Sequence, residues 1–349
     1  MTSPVRALRL LVVDDCDASR AAIEDALRGA PGLEVVGAAR DGEEALRLAL
    51  QVAPDLVLLD LQMPRMDGFT LLRLLMAQRP TRVLVLSAMG RRSDVFKALE
   101  LGALDFVAKP EGSDALRGIR DELVEKCRTL GALQVSRPAP APRRGVAARG
   151  LAAAEPEKLL VVAASTGGPP AVLRFLADLP GDLPLAVLVA QHMPERFTAD
   201  FAERLSGACP FAAQEAAEGD LVAAGRILVA PGGRDLELRR DHSGLLRATL
   251  GEPAVRAPRW PSPSADRLFS SAARLLGARV CAVVLTGMGS DGREGALAVR
   301  RAGGCVLAES AESAVVYGMP HAAAAAGAVD ELLPLAELAP RVARFARGR

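Results

Sequence analysis

Three side chains far apart in this chain have the types needed to cleave an ester or amide: Ser165, His192 and Asp291. A serine hydroxyl is a poor nucleophile until an imidazole takes its proton, and the imidazole needs an acid to fix its tautomer and orientation. Ser165 follows the apolar run LLVVAA and precedes T-G-G-P-P, which predicts a tight turn from a buried strand into a helix. Backbone N–H groups in such a turn can hold an oxyanion. His192 follows LAVLVAQ, and Asp291 stands in M-G-S-D-G after AVVLTG. All three therefore fall beyond the carboxyl ends of strands, where an open α/β sheet forms its crevice. The chain has only three histidines. His242 falls in a polar hairpin turn and His321 at a helix start, which leaves His192 as the base and argues against a multi-histidine metal site. Each residue alone has a plainer reading: S-T-G-G as a phosphate-cradling turn or helix cap, His192 as a core histidine, Asp291 as the N-cap of the next helix. The order Ser…His…Asp also differs from the Ser…Asp…His order of α/β-hydrolases.

A second group of residues suits phosphoryl chemistry. Asp14, Asp15, Asp60, Ser87 and Lys109 each end or follow a strand-like run. Converging carboxylates repel one another unless a divalent cation holds them, and Mg²⁺ suits an all-oxygen site with room for phosphate oxygens. A carboxylate there can take a phosphoryl group; Ser87 can then hydrogen-bond its oxygens and Lys109 offset their charge. Taken singly, each aspartate reads as a helix cap and Lys109 as a solvated surface charge.

The elements that must position these groups alternate. LRLLVV, LEVVGAA, DLVLLD, RVLVLSA and DFVAK each precede a helical stretch, the first over 17–27 with Asp17 as its N-cap. Five strand–helix units predict a parallel sheet with right-handed crossovers over 6–130. Over 131–157 periodicity vanishes into Pro/Ala/Arg-rich sequence, the composition of a semi-extended tether. From 158 to 349 strand and helix alternate again, with DLELRR and LLRATL predicting a hairpin around 241–244. An Ala-rich helix, VDELLP and an amphipathic helix follow. The expectation is a doubly wound, mostly parallel α/β domain with a β-hairpin insertion.

Composition narrows the function classes. The 43 basic and 42 acidic residues nearly cancel, so no global field favours nucleic acid or a membrane surface. A DNA-binding output would need a helix-turn-helix with a basic face, and none is visible. The five cysteines (Cys16, Cys127, Cys209, Cys281, Cys305) form no C-x-x-C pair, which argues for a reducing compartment and against a disulfide scaffold. With no signal peptide and no apolar run near ~20 residues, a cytoplasmic protein is expected.

The strings V-D-D-C-D, L-D-L-Q-M-P-R-M-D-G, L-S-A-M-G and D-F-V-A-K-P together resemble the receiver domain of two-component response regulators, a flavodoxin-like fold with a five-stranded parallel sheet. The resemblance implies Asp60 as phosphoacceptor, with a sensor histidine kinase as phosphodonor. It implies Asp15 and Asp60 as Mg²⁺ ligands with Asp14 nearby, and Ser87 and Lys109 reading the phosphate. Phe106 becomes the aromatic that follows the switch, and Lys109-Pro110 a cis peptide. Farther on, A-S-T-G-G, Q-H-M-P, V-A-P-G-G, L-T-G-M-G-S-D-G and V-V-Y-G-M-P resemble the catalytic domain of the CheB-type chemotaxis receptor methylesterases.

That second resemblance implies hydrolysis of glutamate γ-methyl esters on methyl-accepting chemoreceptors and deamidation of certain glutamines. It implies Ser165 as nucleophile, His192 as base and acid, Asp291 as orienting carboxylate, Met288 N–H as oxyanion donor and Thr166 lining the site. It further implies no cofactor in the catalytic domain, no nucleic-acid partner, no membrane insertion, and an unphosphorylated receiver that covers the crevice until Asp60 is phosphorylated. The chain departs from that family at Ala163, usually glycine, and at Pro261-Ser262, where a His-Arg pair usually stands; family members also tend to have a glutamate near Ala311. The competing reading is a phospho-switched binding module with an idle triad.

Overall fold

The computed structural model describes residues 6–88, 92–109, 119–131, 155–251 and 263–348. Pro110, Pro261, Ser262 and nearly all of the expected tether therefore lie outside the described residues. Contacts divide the chain into two compact units, Met1–Pro140 and Ala141–Arg349. Among the described residues no helix is long and apolar enough to cross a membrane.

In the first unit, strands β1 (Leu8–Val13), β2 (Leu33–Ala39), β3 (Leu56–Asp60), β4 (Arg82–Ala88) and β5 (Asp105–Lys109) alternate with five helices. These are α1 (Asp17–Leu27), α2 (Gly42–Val52), α3 (Gly68–Gln78), α4 (Arg92–Glu100) and α5 (Arg120–Gly131). The sheet runs β2-β1-β3-β4-β5 with every pairing parallel. Strands covered on both faces should read as unbroken apolar runs, and Leu10–Val13 and Leu56–Leu59 are fully buried. Asp41 and Asp67 cap α2 and α3 by accepting from Glu44 N (2.9 Å) and Thr70 N (2.7 Å). The expectation for α1 is corrected: its N-cap is Cys16, and Asp17 is the first helical residue. Asp14 organises that turn instead, accepting from Cys16 N (2.9 Å) and Ser19 Oγ (2.6 Å).

The second unit opens with β6 (Lys158–Ala164), α6 (Gly168–Ala177), β7 (Leu185–Gln191) and α7 (Phe197–Ala208). There follow β8 (Ala212–Glu215), β9 (Arg226–Val229), the hairpin strands β10 (Leu236–Arg240) and β11 (Leu246–Leu250), and α8 (Ala265–Leu276). It closes with β12 (Val280–Val284), α9 (Arg293–Arg301), β13 (Cys305–Glu309), α10 (Met319–Ala325), β14 (Glu331–Leu333) and α11 (Leu335–Ala346). The seven-stranded sheet runs β14-β13-β12-β6-β7-β9-β8, and every pairing in it is parallel. The antiparallel hairpin β10-β11 forms a separate two-stranded sheet. From β6 the chain winds to one side through β7, then returns to place β12 on the other. The point where the direction reverses lies beside β6, and such a switch point leaves a crevice at the carboxyl ends of the strands.

Candidate active site

Ser165 is the residue after β6, and the turn that carries it is held from three sides. Its N–H donates to Thr286 O (3.0 Å), while its carbonyl accepts from Gly168 N (2.7 Å) and from Gln191 Nε2 (3.0 Å). Two glycines make the turn possible. Gly167 has φ +74°, and a Cβ there would lie 2.7 Å from Val315 Cβ; a Cβ on Gly168 would overlap Gln191 Oε1. Prolines follow in the first turn of α6, as the sequence predicts.

His192 continues the pairing of β6 with β7. Ala164 is the register partner of Gln191, and His192 N donates to Ala164 O (2.9 Å). That bond ties the backbone of His192 to the residue just before Ser165. The Gln191 amide also donates to His192 O (3.0 Å), so one side chain ties down both backbones.

The acid arrives from the other flank of β6. Asp291 Oδ2 lies 2.8 Å from His192 Nε2, and the two side chains are only 6 % and 5 % exposed. His192 Nδ1 is buried without a hydrogen-bond partner, and among the described residues no hydrogen bond joins it to the Ser165 hydroxyl. The structure thus brings imidazole and carboxylate into contact and carries the serine one residue past the Ala164–His192 backbone bond, without that last bond.

The plainer reading of Asp291, as a cap on the following helix, is corrected. The N-cap of α9 is Gly292, at φ +91°. The Asp291 carboxylate instead closes the start of α8, accepting from Ala265 N (2.7 Å), Asp266 N (3.0 Å) and Ser264 Oγ (3.2 Å). Asp266, in the first turn of α8, returns the favour by accepting from Gly295 N (2.7 Å) in α9. The two helices approach so closely that a Cβ on Gly295 would lie 2.5 Å from Phe269 Cβ. Burial pushes the Asp291 carboxyl up, but the His192 contact and the α8 amides outweigh it, holding it below the ordinary carboxylate value. Burial, with the Asp291 charge adding to it against the Gly295 N–H, pushes Asp266 up to about 6.

Beneath the serine, Thr286 Oγ1 donates to Thr166 O (2.9 Å) and accepts from Val316 N (2.8 Å). Thr286 N donates to Glu309, a fully buried carboxylate that also accepts from Ser313 Oγ (2.9 Å). Thr166 is itself buried beside the turn. Gly287, just before Met288, presses on the serine: a Cβ there would lie 2.8 Å from Ser165 Cβ. Ala163, where the family usually has glycine, is fully buried in the core between the sheet and α8. Residue-type reasoning passed over Gln191, Thr286, Glu309, Ser264 and Asp266. For the first three the available signal was a polar residue closing or following an otherwise apolar strand, as in LAVLVAQ, AVVLT and CVLAE; Ser264 and Asp266 stand in P-S-P-S-A-D, matched to the family's string without a task assigned.

In the first unit the structure gathers Asp14, Asp15 and Asp60, with one carboxylate oxygen of each within 4.8 Å of the others. Lys109 Nζ reaches Asp14 Oδ2 (2.6 Å) and also contacts Asp60 Oδ2. Burial pulls the Lys109 ammonium down, but Asp60 and Asp14 outweigh it and raise it above the ordinary lysine value. Asp60 Oδ1 accepts from Gln62 N (3.0 Å), and Ser87 is buried at the end of β4. This oxygen-only donor set, with three carboxylates against one ammonium, fits a hard divalent cation. Phe106 is buried on β5, where its carbonyl accepts from Lys126 Nζ (2.7 Å) and its ring lies 5.6 Å from that nitrogen.

Comparison with known proteins bears on both units. Residues 160–342 match the family described as CheB methylesterase, and residues 10–119 match the response regulator receiver domain. The chain is 60% identical over 343 residues to protein-glutamate methylesterase/protein-glutamine glutaminase 6 of Anaeromyxobacter dehalogenans (strain 2CP-C), covering 98% of this chain and 97% of the relative. It is 46% identical to protein-glutamate methylesterase/protein-glutamine glutaminase 1 of Myxococcus xanthus (strain DK1622), covering 98% of each. Among solved structures, the catalytic domain of Thermotoga maritima CheB methylesterase is similar, with a TM-score of 0.51 and 33% identity, covering 55% of this chain and 98% of that one.

Proposed function

This chain belongs to the CheB methylesterase family and carries a response regulator receiver domain ahead of the matching region, and on that premise we propose that it hydrolyses glutamate γ-methyl esters and deamidates certain glutamines on chemoreceptors in the cytoplasm. The catalytic domain spans 158–349 and the receiver 6–130. The observation that carries the reading is the buried His192–Asp291 pair, with His192 N bonded to Ala164 O, the residue before Ser165.

Asp291 accepts a hydrogen bond from Nε2–H, so the imidazole keeps its lone pair on Nδ1. Nδ1 takes the Ser165 Oγ proton as Oγ attacks the γ-carbonyl carbon. Backbone N–H groups around the serine turn, Met288 N–H among them, receive the oxyanion; losing one such donor commonly costs ~10²–10³ in rate. Nδ1–H then gives its proton to the departing methoxide, releasing methanol. A water molecule, deprotonated by Nδ1, cleaves the glutamyl–serine ester and restores the hydroxyl. Asp291 stays ionised throughout and offsets the imidazolium. With a glutamine substrate the leaving group is ammonia, and the steps are otherwise the same.

In the receiver, Asp60 accepts the phosphoryl group from a sensor histidine kinase. Asp14, Asp15 and Asp60 would hold Mg²⁺, which supplies positive charge beside the phosphate oxygens. Lys109, which now spans Asp14 and Asp60, turns to the new phosphoryl group, and the Ser87 hydroxyl hydrogen-bonds it. Phe106 follows that change, and phosphorylation raises the esterase rate.

The test is methanol release from methylated receptor fragments, with and without a small-molecule phosphodonor. Wild type should release methanol faster with the donor, Ser165→Ala should release none, and Asp60→Asn should ignore the donor. No release by wild type under either condition would return the molecule to a binding module with an idle triad.

A further inference from the structure

At the end of the second sheet farthest from Ser165, two cysteines meet. Cys281 and Cys305 are register partners on β12 and β13. Their Cα atoms are thus one strand spacing apart, about 4.8 Å, inside the roughly 4.4–6.8 Å that a disulfide spans. Their strand neighbours Ala282, Val284, Val306 and Ala308 belong to the core on the opposite face of the sheet, so the pair faces α11. From α11, Arg341 places Nη2 3.9 Å from Cys305 Sγ while its Nε donates to Glu331 (2.6 Å).

The two thiols are not equivalent. Cys281 is fully buried, whereas Cys305 is half-buried at the first position of β13. The Cys281 hydrogen bond, and after it the Arg341 charge, hold the Cys305 thiol below its ordinary value in spite of burial and of Asp330 and Glu331. The same hydrogen bond and burial push Cys281 well above its own. By contrast Cys127 and Cys209, buried without such partners, are pushed up to about 12. A partly open thiol beside a guanidinium, backed by a sealed second thiol on the neighbouring strand, is the arrangement that reacts with peroxide and then resolves.

We infer that Cys305 and Cys281 form a peroxide-sensitive dithiol, a modification site separate from both the serine site and the aspartate cluster. The Cys305 thiolate attacks the distal oxygen of a hydroperoxide, the O–O bond breaks, and Cys305 sulfenic acid and an alkoxide or hydroxide result. Cys281 sulfur then attacks the sulfenic sulfur; its proton leaves with the displaced hydroxide as water, and an S–S bond forms. Two electrons pass from the two sulfurs to the peroxide.

The experiment treats the full-length protein with hydrogen peroxide and maps each cysteine by mass spectrometry. Wild type should form an intramolecular Cys281–Cys305 link while Cys127 and Cys209 stay reduced. Cys281→Ala should stop at a sulfenic acid on Cys305 that dimedone captures, and Arg341→Gln should slow Cys305 oxidation about threefold or more, as loss of the charge beside a thiolate requires. Thermal unfolding of each variant checks that it folds, and the wild-type map stands without either variant. Oxidation of Cys305 no faster than of Cys127 and Cys209 overturns the inference. So does a wild-type Cys305 that oxidises while Cys281 remains a thiol.

Discussion

His192 commits one ring nitrogen to Asp291 and leaves the other buried without a partner, which fixes what each substitution nearby must do. Asp291→Asn can no longer hold the Nε2 proton in place, and a fall of about 10⁴ in kcat is expected, the size seen when an orienting acid is replaced by its amide. Asp266 acts at one remove. Its carboxyl titrates near 6, beside Asp291, so its ionisation adds negative charge close to the imidazolium that forms during catalysis. Asp266→Asn should therefore move the rising limb of the kcat/KM profile to lower pH. The same shift bears on stability. The folded protein holds this proton up to about pH 6 while the unfolded chain releases it near 3.8, so its contribution weakens as pH rises between the two. Melting temperatures of the asparagine variant should show a flatter dependence across that window. The types Ser, His and Asp were readable one by one. The tasks of Gln191 and Asp266 were not, because each depends on a partner that only the register of β6 with β7 or the packing of α8 on α9 supplies.

At the scale of elements, runs buried on both faces announced themselves, and Leu159–Ala164 and Leu185–Ala190 are the plainest of them. β8 did not. It is a four-residue edge strand, Ala-Ala-Gln-Glu, without a fully buried residue, and carries neither an apolar run nor a strict alternation. The N-cap of α1 slipped by one residue because Asp14, not Asp17, receives the Cys16 amide and the Ser19 hydroxyl of that turn. A cap that comes from a distant loop leaves no local mark, so the sequence pointed Asp291 at its neighbour α9 rather than at α8. The α8–α9 contact also leaves no room for one added methyl group. Gly295→Ala would set a Cβ 2.5 Å from Phe269 Cβ and 3.0 Å from the Asp266 backbone. Since neither neighbour is the loose end of a flexible side chain, both the melting temperature and kcat should drop together. Ser264→Ala, which removes a cap from α8 and a donor from Asp291, should cost about 1 kcal/mol in chemical denaturation.

For the molecule as a whole, two sheets with separate cores carry two chemistries, one on aspartate oxygens and one on a serine. The acidic cluster predicts a dependence that the serine site does not share. Exhaustive chelation of divalent cations should abolish the acceleration by a phosphodonor and leave the basal rate of methanol release in place; loss of both together would tie the metal to the esterase itself. Near that serine, the exchange of carboxylates between two helices has a consequence for motion. The acid facing the imidazole cannot wander as a loop tip would, since displacing it strips amides from one helix and loosens the start of another. Deuterium should therefore enter at the amides of Ala265 and Gly295 only when that half of the protein opens in full, so those two sites would report its global unfolding from beside the place where the reaction runs.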